Sequence, residues 1–330
     1  MPPKIVDICK YPKGWYTIAL SQEIKAGEVK RQLFMGQETV IFRTQSGKIS
    51  VLDAYCTHMG AHLGHGGTVE GESIRCPFHG FCFDTDGACT KTGYGTKAPK
   101  TNIFKYPVIE NYGIILVYFD PERQAPEWTV PQLDMEGWRY PKFHRWELES
   151  RPQEIAENSV DIGHFSEVHK YTDIQVHKNL ETDGPFLTAK YSMTRKAFTL
   201  NKNGKKIYAE FEINQWGLGY ARVEVYVPEI NLRTRQFVLS TPIDEKNMYL
   251  RIGMSIKELE KKSQIHPLLV VFPKGWVTKL VESAGLRGYM HDVHQDFIIW
   301  QNKKFMHPPA LAEGDGPIMQ YRKWVKQFEY

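Results

Sequence analysis

The chain has 330 residues, 42% apolar and 24% charged, which excludes a disordered or collagen-like polymer and leaves room for two hydrophobic cores. Its 42 Lys and Arg against 38 Asp and Glu give +4, too mild a charge, with no basic run, to indicate nucleic acid. The longest apolar stretches, 112–119 and 267–272, fall far short of the roughly 18 to 20 residues of a membrane helix. The N-terminus MPPKIVDICKYPKGW lacks the apolar centre and cleavage site of a signal peptide, so a cytoplasmic protein is expected.

In chain order, residues 1–125 form the first predicted domain, with a β-rich core at about 35–120 and an N-terminal segment free to pack on either domain. Short strands are expected at 38–43 and 48–54, joined by the polar turn Thr44-Gln45-Ser46-Gly47. Others follow at 73–76, 81–83, 105–109 and 114–119, with Asp84-Thr85-Asp86-Gly87 as a turn. The proline-rich PERQAPEWTVP then reads as a linker, because proline removes backbone donors. Residues 126–330 form the second domain: a helix over 153–169, strands at 187–193, 206–213, 221–227, 235–240 and 248–255, and a helix over 274–304. No helix separates those strands, so they belong to one antiparallel sheet, and the fold class is α+β behind an all-β domain.

Five cysteines, Cys9, Cys56, Cys76, Cys82 and Cys89, are too few and odd in number to frame a disulfide scaffold. Cys56-Thr57-His58 and Cys76-Pro77-Phe78-His79 pair one thiolate with one imidazole in each of two loops. Such ligands suit zinc or an iron–sulfur cluster. Zinc fingers deliver each like pair from one element, as C-x-x-C and H-x-x-x-H, whereas here each loop mixes the two. A Rieske 2Fe-2S centre needs that mixture, because two cysteines hold one iron and two histidines the other. Gly60, Gly64, Gly66, Gly67 and Gly80 let the backbone pass close to inorganic sulfur. A single Cys or His is ordinarily a packed core side chain, which is how Cys9, Cys82 and Cys89 are read. Four such residues in this order outweigh that reading.

A second constellation lies in ENSVDIGHFSEVH, residues 157–169. Asp161 and His164 share a helical face, whereas His164 and His169, five apart, would sit about 140° apart on an unbroken helix. For both to bind one metal the helix must end or distort, and Gly163 and Lys170-Tyr171-Thr172 offer ways to do so. The histidines of a zinc protease helix are four apart, so that motif is excluded. A third ligand is expected from a distant carboxylate, and HDVHQDFIIW offers Asp292 and Asp296 one turn apart; a solvated helix carboxylate is the competing reading of either.

The loops CTHMGAHL and CPFHGF resemble the Rieske family, and within it the oxygenases. Respiratory members carry an extra cysteine pair and a serine where Ala61, Phe78 and Phe81 stand here. Met59 and Phe81 depart from the arginine and tryptophan common in ring-attacking oxygenases. With them, ENSVDIGHFSEVH and the C-terminal EGDGPIMQYRKWVKQF are similar to the branch holding 3-ketosteroid 9α-hydroxylases and cholesterol 7-desaturases. The resemblance implies a helix-grip, START-like catalytic domain. It implies one 2Fe-2S cluster on Cys56, His58, Cys76 and His79, and one mononuclear Fe(II) on His164, His169 and Asp296, with Asn158 near the iron. Asp161 would bridge His164 and the partner subunit's His79 in a head-to-tail homotrimer.

The implied function is the oxygenase component of a Rieske monooxygenase. With O2 it would hydroxylate or desaturate a C–H bond of a bulky apolar, steroid-like substrate. No G-x-G-x-x-G follows a strand, so electrons must come from a separate flavin-containing reductase or ferredoxin. Lys91, Lys97, Lys100 and Lys105 could steer an acidic donor, with an ordinary solvated face as the alternative. An aromatic or heteroaromatic small molecule is the second substrate reading. From other classes come a Rieske electron-transfer protein, which would leave the second domain unexplained, and a zinc-stabilised binding module.

Overall fold

The computed structural model describes residues 2–196, 206–261, 263, 265, 269 and 271–330. The chain divides into two compact units: one of Lys13–Leu133 and Thr241–Glu245, the other of Met1–Pro12, Asp134–Ser240 and Lys246–Tyr330.

The first unit is built from three small antiparallel sheets. Gly14–Leu20 pairs with Ile114–Phe119, which pairs with Val108–Asn111. Val29–Phe34, Gln37–Arg43 and Ile49–Asp53 make a second sheet, and Thr68–Glu70, Ser73–Arg75, Cys82–Asp84 and Cys89–Lys91 a four-stranded third. The two expected turns form as their residues dictate. Gly47 takes φ +94° and its N–H donates to the Thr44 carbonyl at 3.0 Å. Asp84 Oδ1 accepts from the N–H groups of Asp86 and Ala88, both at 2.9 Å. Val40, Phe42, Leu52, Leu63, Ile74 and Phe83 form the buried core between them. The strand Gly14–Leu20 is buried along its whole length, so it lacks the alternation that would have marked it. The proline-rich segment is irregular but anchored. Trp15 Nε1 donates to the Trp128 carbonyl at 2.7 Å, and the Asn111 side chain donates to Pro131 O and accepts from Leu133 N.

The second unit carries a seven-stranded sheet in the order Lys142–Glu149, Asn247–Ile256, Leu232–Pro242, Tyr220–Val227, Lys206–Trp216, Phe186–Lys196, Thr172–Asp183. The five strands expected here all form, and two more occupy the sheet edges. Those two, KFHRWELE and TDIQVHKNLETD, bury only Leu148 and Leu180, so neither shows the one-sided pattern of a half-buried strand. The helix expected over 153–169 is two short ones: α1, Pro152–Glu157, and α2, Gly163–Glu167. The long helix α3, Lys274–Trp300, packs Val293, Phe297 and Trp300 against Leu250 and Ile252 of the sheet. A C-terminal helix, α4, covers Ile318–Val325 and buries Tyr321, Trp324 and Val325. Among the described residues no helix is long and apolar enough to cross a membrane.

Candidate active site

The two Cys–His loops close in the same way. Cys56 N donates to Ala61 O at 2.9 Å and Gly60 N to Cys56 O at 2.9 Å; Cys76 N donates to Phe81 O at 2.7 Å and Gly80 N to Cys76 O at 3.2 Å. Gly60 and Gly80 take φ of +73° and +67°, and a Cβ on Gly80 would lie 2.9 Å from the Gly93 Cα, so only glycine fits there. This closure turns both thiols inward, 3% and 1% exposed for Cys56 and Cys76, and leaves His58 and His79 at the rim. The imidazoles are 4.7 Å apart between centroids, and His58 stacks on Phe81 at 4.2 Å and 8°. Burial, followed by the neighbouring Cys76, pushes the Cys56 thiol up to about 11. Two facing thiols inside and two imidazoles outside are the donor split that a Rieske cluster requires. The residues present therefore fit that group.

Cys82, Cys89 and Cys9 are free thiols whose pKa values burial raises, which suits packed bystanders. Of the four lysines considered for steering, Lys91 is paired with Glu70 at 2.5 Å and Lys105 with Asp86 at 2.6 Å. Lys97 and Lys100 are exposed.

His164, His169 and Asp296 come together in the second unit, with one ligand atom from each lying within 4.8 Å of the others. The distortion needed to bring both histidines round is visible. Helix α2 stops at Glu167, Lys170 takes φ +59°, and Tyr171 N donates back to Phe165 O at 3.0 Å. A carbonyl can only accept, so His164 Nδ1, 2.6 Å from Asp161 O, carries the proton there. His169 Nδ1 lies 3.1 Å from Gln295 Oε1, an acceptor as well. Both rings thus present Nε2 inward, the tautomer that a metal needs. Burial lowers the His164 pKa. Burial acts the same way on His169 but is outweighed by Asp296, whose Oδ2 is 3.4 Å from Nε2, so the His169 pKa is raised. Asp296 is 5% exposed. Two imidazoles and a carboxylate on one side of an open cavity fit a facial iron site.

Asp292, the other carboxylate considered, is bound instead by Arg195 Nη1 at 2.6 Å and by the Tyr171 hydroxyl at 3.0 Å. Asn158, the residue that ends α1, lines the same cavity. Asp161 Oδ1 accepts from His164 N at 3.3 Å. Its Oδ2 is 3.8 Å from His164 Nδ1, and the side chain is about a third exposed, at 34%.

The C-terminal motif EGDGPIMQYRKW explains why 157–164 is not one helix. Asp315 O accepts from Ile162 N at 3.3 Å, and Gly316, at φ +86°, packs where a Cβ would meet Val160 O at 2.4 Å. Arg322 on α4 binds Glu157 bidentately, at 2.6 and 2.9 Å, and Tyr321 Oη donates to Gln153 O at 2.8 Å. These contacts capture backbone and side chains that would otherwise continue α1. Arg322, Gly316 and Gln295 carried no metal-ligand signature, so sequence reasoning passed over them.

A cavity of about 550 Å³ opens onto His164, His169 and Asp296. Every second residue of the sheet faces it: Tyr191, Met193 and Arg195; Ala209, Phe211 and Ile213; Ala221, Val223 and Val225. Helix α3 closes the other side with Val281, Ala284, Gly285 and Gly288 before reaching Asp292 and Asp296. The small residues make space that larger ones would fill. The volume lies within the roughly 300–1,000 Å³ of sites that enclose a small molecule.

The fold and these two donor sets define a Rieske-type oxygenase, the terminal component of a multicomponent oxidoreductase. Residues 14–107 match the Rieske [2Fe-2S] domain model, and residues 117–329, more than half of the chain, match the 3-ketosteroid 9alpha-hydroxylase C-terminal domain model. The chain belongs to that 3-ketosteroid 9alpha-hydroxylase family. Cholesterol 7-desaturase of Drosophila melanogaster is 30% identical over 98% of this chain and 77% of its own length. The oxygenase component of a 3-ketosteroid-9-alpha-monooxygenase of Rhodococcus rhodochrous is 28% identical over 97% and 81%. Among solved structures, dicamba monooxygenase bound to dicamba has the same fold at 16% identity, TM-score 0.67, covering 97% of this chain and 98% of that one. NdmA of Pseudomonas putida CBB5 with caffeine gives 16%, 0.67, 94% and 89%.

Proposed function

We propose that this oxygenase hydroxylates or desaturates a C–H bond of a bulky, apolar, steroid-like substrate. The observation that carries the reading is the apolar cavity of about 550 Å³ that opens onto His164, His169 and Asp296. The relatives named for 3-ketosteroids and cholesterol support it. Cys56, His58, Cys76 and His79 hold the 2Fe-2S cluster, and His164, His169 and Asp296 hold the mononuclear iron. When bound, the cluster supplies electrons one at a time and the iron supplies dioxygen activation.

The chain's own residues prepare that chemistry. Asp161 O and Gln295 Oε1 fix both histidine tautomers, and the apolar walls exclude water from the reacting carbon. Asp161, with its carboxylate partly exposed, serves as the bridge from His164 to the cluster histidine of a neighbouring chain, which calls for a homotrimer. Asn158 stands beside the iron. The donor is a separate reductase or ferredoxin, and five free cysteines suit the reducing cytoplasm.

The test is turnover of the reconstituted holoenzyme with a flavin reductase against cholesterol, 3-ketosteroids, dicamba and caffeine. An oxidised steroid formed in proportion to O2 consumed is the expected result. Tight coupling to an aromatic or heteroaromatic compound, with none to any steroid, overturns the reading.

A further inference from the structure

Arg195 is the one cation among the described residues lining the cavity. It stands near the end of the strand Phe186–Lys196, and its Nη1 donates to Asp292 Oδ2 at 2.6 Å and to Tyr171 Oη at 3.5 Å. The Tyr171 hydroxyl donates to the same carboxylate oxygen at 3.0 Å. The whole cluster is thus joined through one nitrogen and one carboxylate oxygen. Among the described residues, Arg195 Nε and Nη2 and Asp292 Oδ1 have no hydrogen-bond partner. The pair is largely shielded, with 27% and 14% of the two side chains exposed. Gly288 stands beside the guanidinium, where an added Cβ would come only to ordinary contact, 3.9 Å from Nη2.

An arginine that served only to brace strand against helix would do better as a two-pronged pair, as Arg322 does with Glu157. Here two donors and one acceptor are left beside each other at the wall of an apolar cavity. That set suits an oxygen that accepts and, if it carries hydrogen, also donates. An anionic ligand would be opposed by Asp292 and Asp296, and an amine by Arg195.

We propose that Arg195, held by Asp292 and Tyr171, anchors a hydroxyl or carbonyl oxygen of the substrate and so selects the carbon that is oxidised. Asp292 and Asp296 are four residues apart on α3, a rise of about 6 Å. The anchor's partner and the proposed iron ligand are thus about one turn apart, and a rigid skeleton held at the one presents a fixed carbon at the other. This deepens the reading of the site as an oxygenase centre and rests on it.

The test uses the holoenzyme, Arg195→Met and Arg195→Lys, with two ligand pairs that differ by one oxygen: 5α-androstan-3-one with 5α-androstane, and 4-phenylphenol with biphenyl. Equilibrium dialysis gives the affinities, product analysis gives the position of oxidation, and iron content with cluster absorbance reports folding. Wild type should favour the oxygenated member of at least one pair by about tenfold or more. Arg195→Met should bring that ratio to about one without weakening the hydrocarbon, and scatter the oxidation over several carbons. Arg195→Lys should restore part of the preference. Should Arg195→Met lose iron, Arg195→Lys, which keeps a cation beside Asp292, must still lower the same ratio. No preference in wild type, or an equal loss for both members in the variants, overturns the anchor. A preference confined to the phenol pair upholds the anchor and defeats the steroid reading. Steroid turnover with an unchanged ratio does the reverse.

Discussion

Replacing Gly316 by Ala tests whether the C-terminal segment sets the position of the proposed iron ligands. Gly316 has φ +86°, and an added Cβ would meet Val160 O at 2.4 Å and Ile162 N at 3.3 Å, where ordinary contact begins at 3.4 Å. The segment must retreat by about 1 Å, and the left-handed conformation costs an alanine roughly 1–2 kcal/mol in addition. Val160 and Ile162 flank Asp161 and lead directly into His164, so the shift passes to one residue of the candidate iron site. Misplacement by about 1 Å can cost on the order of 10²-fold in rate. The variant should therefore keep its cluster absorbance, hold less mononuclear iron, and turn over on the order of 10²-fold more slowly per cluster. Gly314→Ala is the control, because Gly314 has φ +101° with nothing within 4 Å of the new Cβ. It bears the backbone cost without the clash and should retain its iron. Metal analysis against cluster absorbance, with turnover normalised to cluster, reads both variants. If Gly316→Ala matched Gly314→Ala in iron and rate to within about twofold, the terminal segment would not be positioning the ligands.

Two further outcomes follow from the same region. Arg322→Met leaves Glu157 buried without its partner, so the second unit should lose about 3–5 kcal/mol; Glu157→Gln with Arg322→Met should recover much of it, as read by urea unfolding. A loss below about 1 kcal/mol would show the pair to be solvated. Burial raises the pKa of Glu154, against the pull of Lys303 at 3.6 Å. The folded state then binds that proton more tightly than the unfolded chain, so ionised Glu154 costs stability above the raised value and nothing below the ordinary one. Glu154→Gln should raise the melting temperature at about pH 8, and the gain should vanish on acidification through that window; a gain independent of pH would contradict the assignment.

The candidate donor residues were legible where they lie close together in sequence. Cys56, His58, Cys76 and His79 announce their site by spacing, and the five-residue step from His164 to His169 already required the break that Lys170 provides. What sequence could not show were contacts between distant segments. Glu157 reads as an ordinary helix carboxylate until Arg322, 165 residues away, is seen to bind it. That Asp292 is bound by Arg195, 97 residues away, while Asp296 stands beside His169, is likewise visible only in the fold. The edge strands were missed for another reason, since each fully buries so few residues that little period is left to read.

Helix α3 shows why function can hide a helix from pattern analysis. One side packs Val293, Phe297 and Trp300 on the sheet, as any core-facing helix would. Another, through Val281, Ala284, Gly285 and Gly288, faces empty space that a substrate must fill, and it ends in two carboxylates. Small and charged residues therefore occupy positions that a structural helix would give to leucine, and the usual apolar stripe is broken. Each interior glycine costs about 1 kcal/mol relative to alanine; Gly285 keeps clear of Met254, whose Cε would lie 3.0 Å from an added Cβ, and Gly288 leaves room beside Arg195. The opposing sheet carries the complementary signal: in KIYAEFEINQ the residues Ile207, Ala209, Phe211, Ile213 and Gln215 alternate onto the cavity face. An apolar strand face set opposite a glycine-bearing helix that ends in carboxylates describes a wall built to meet a ligand, which a packed core would not require.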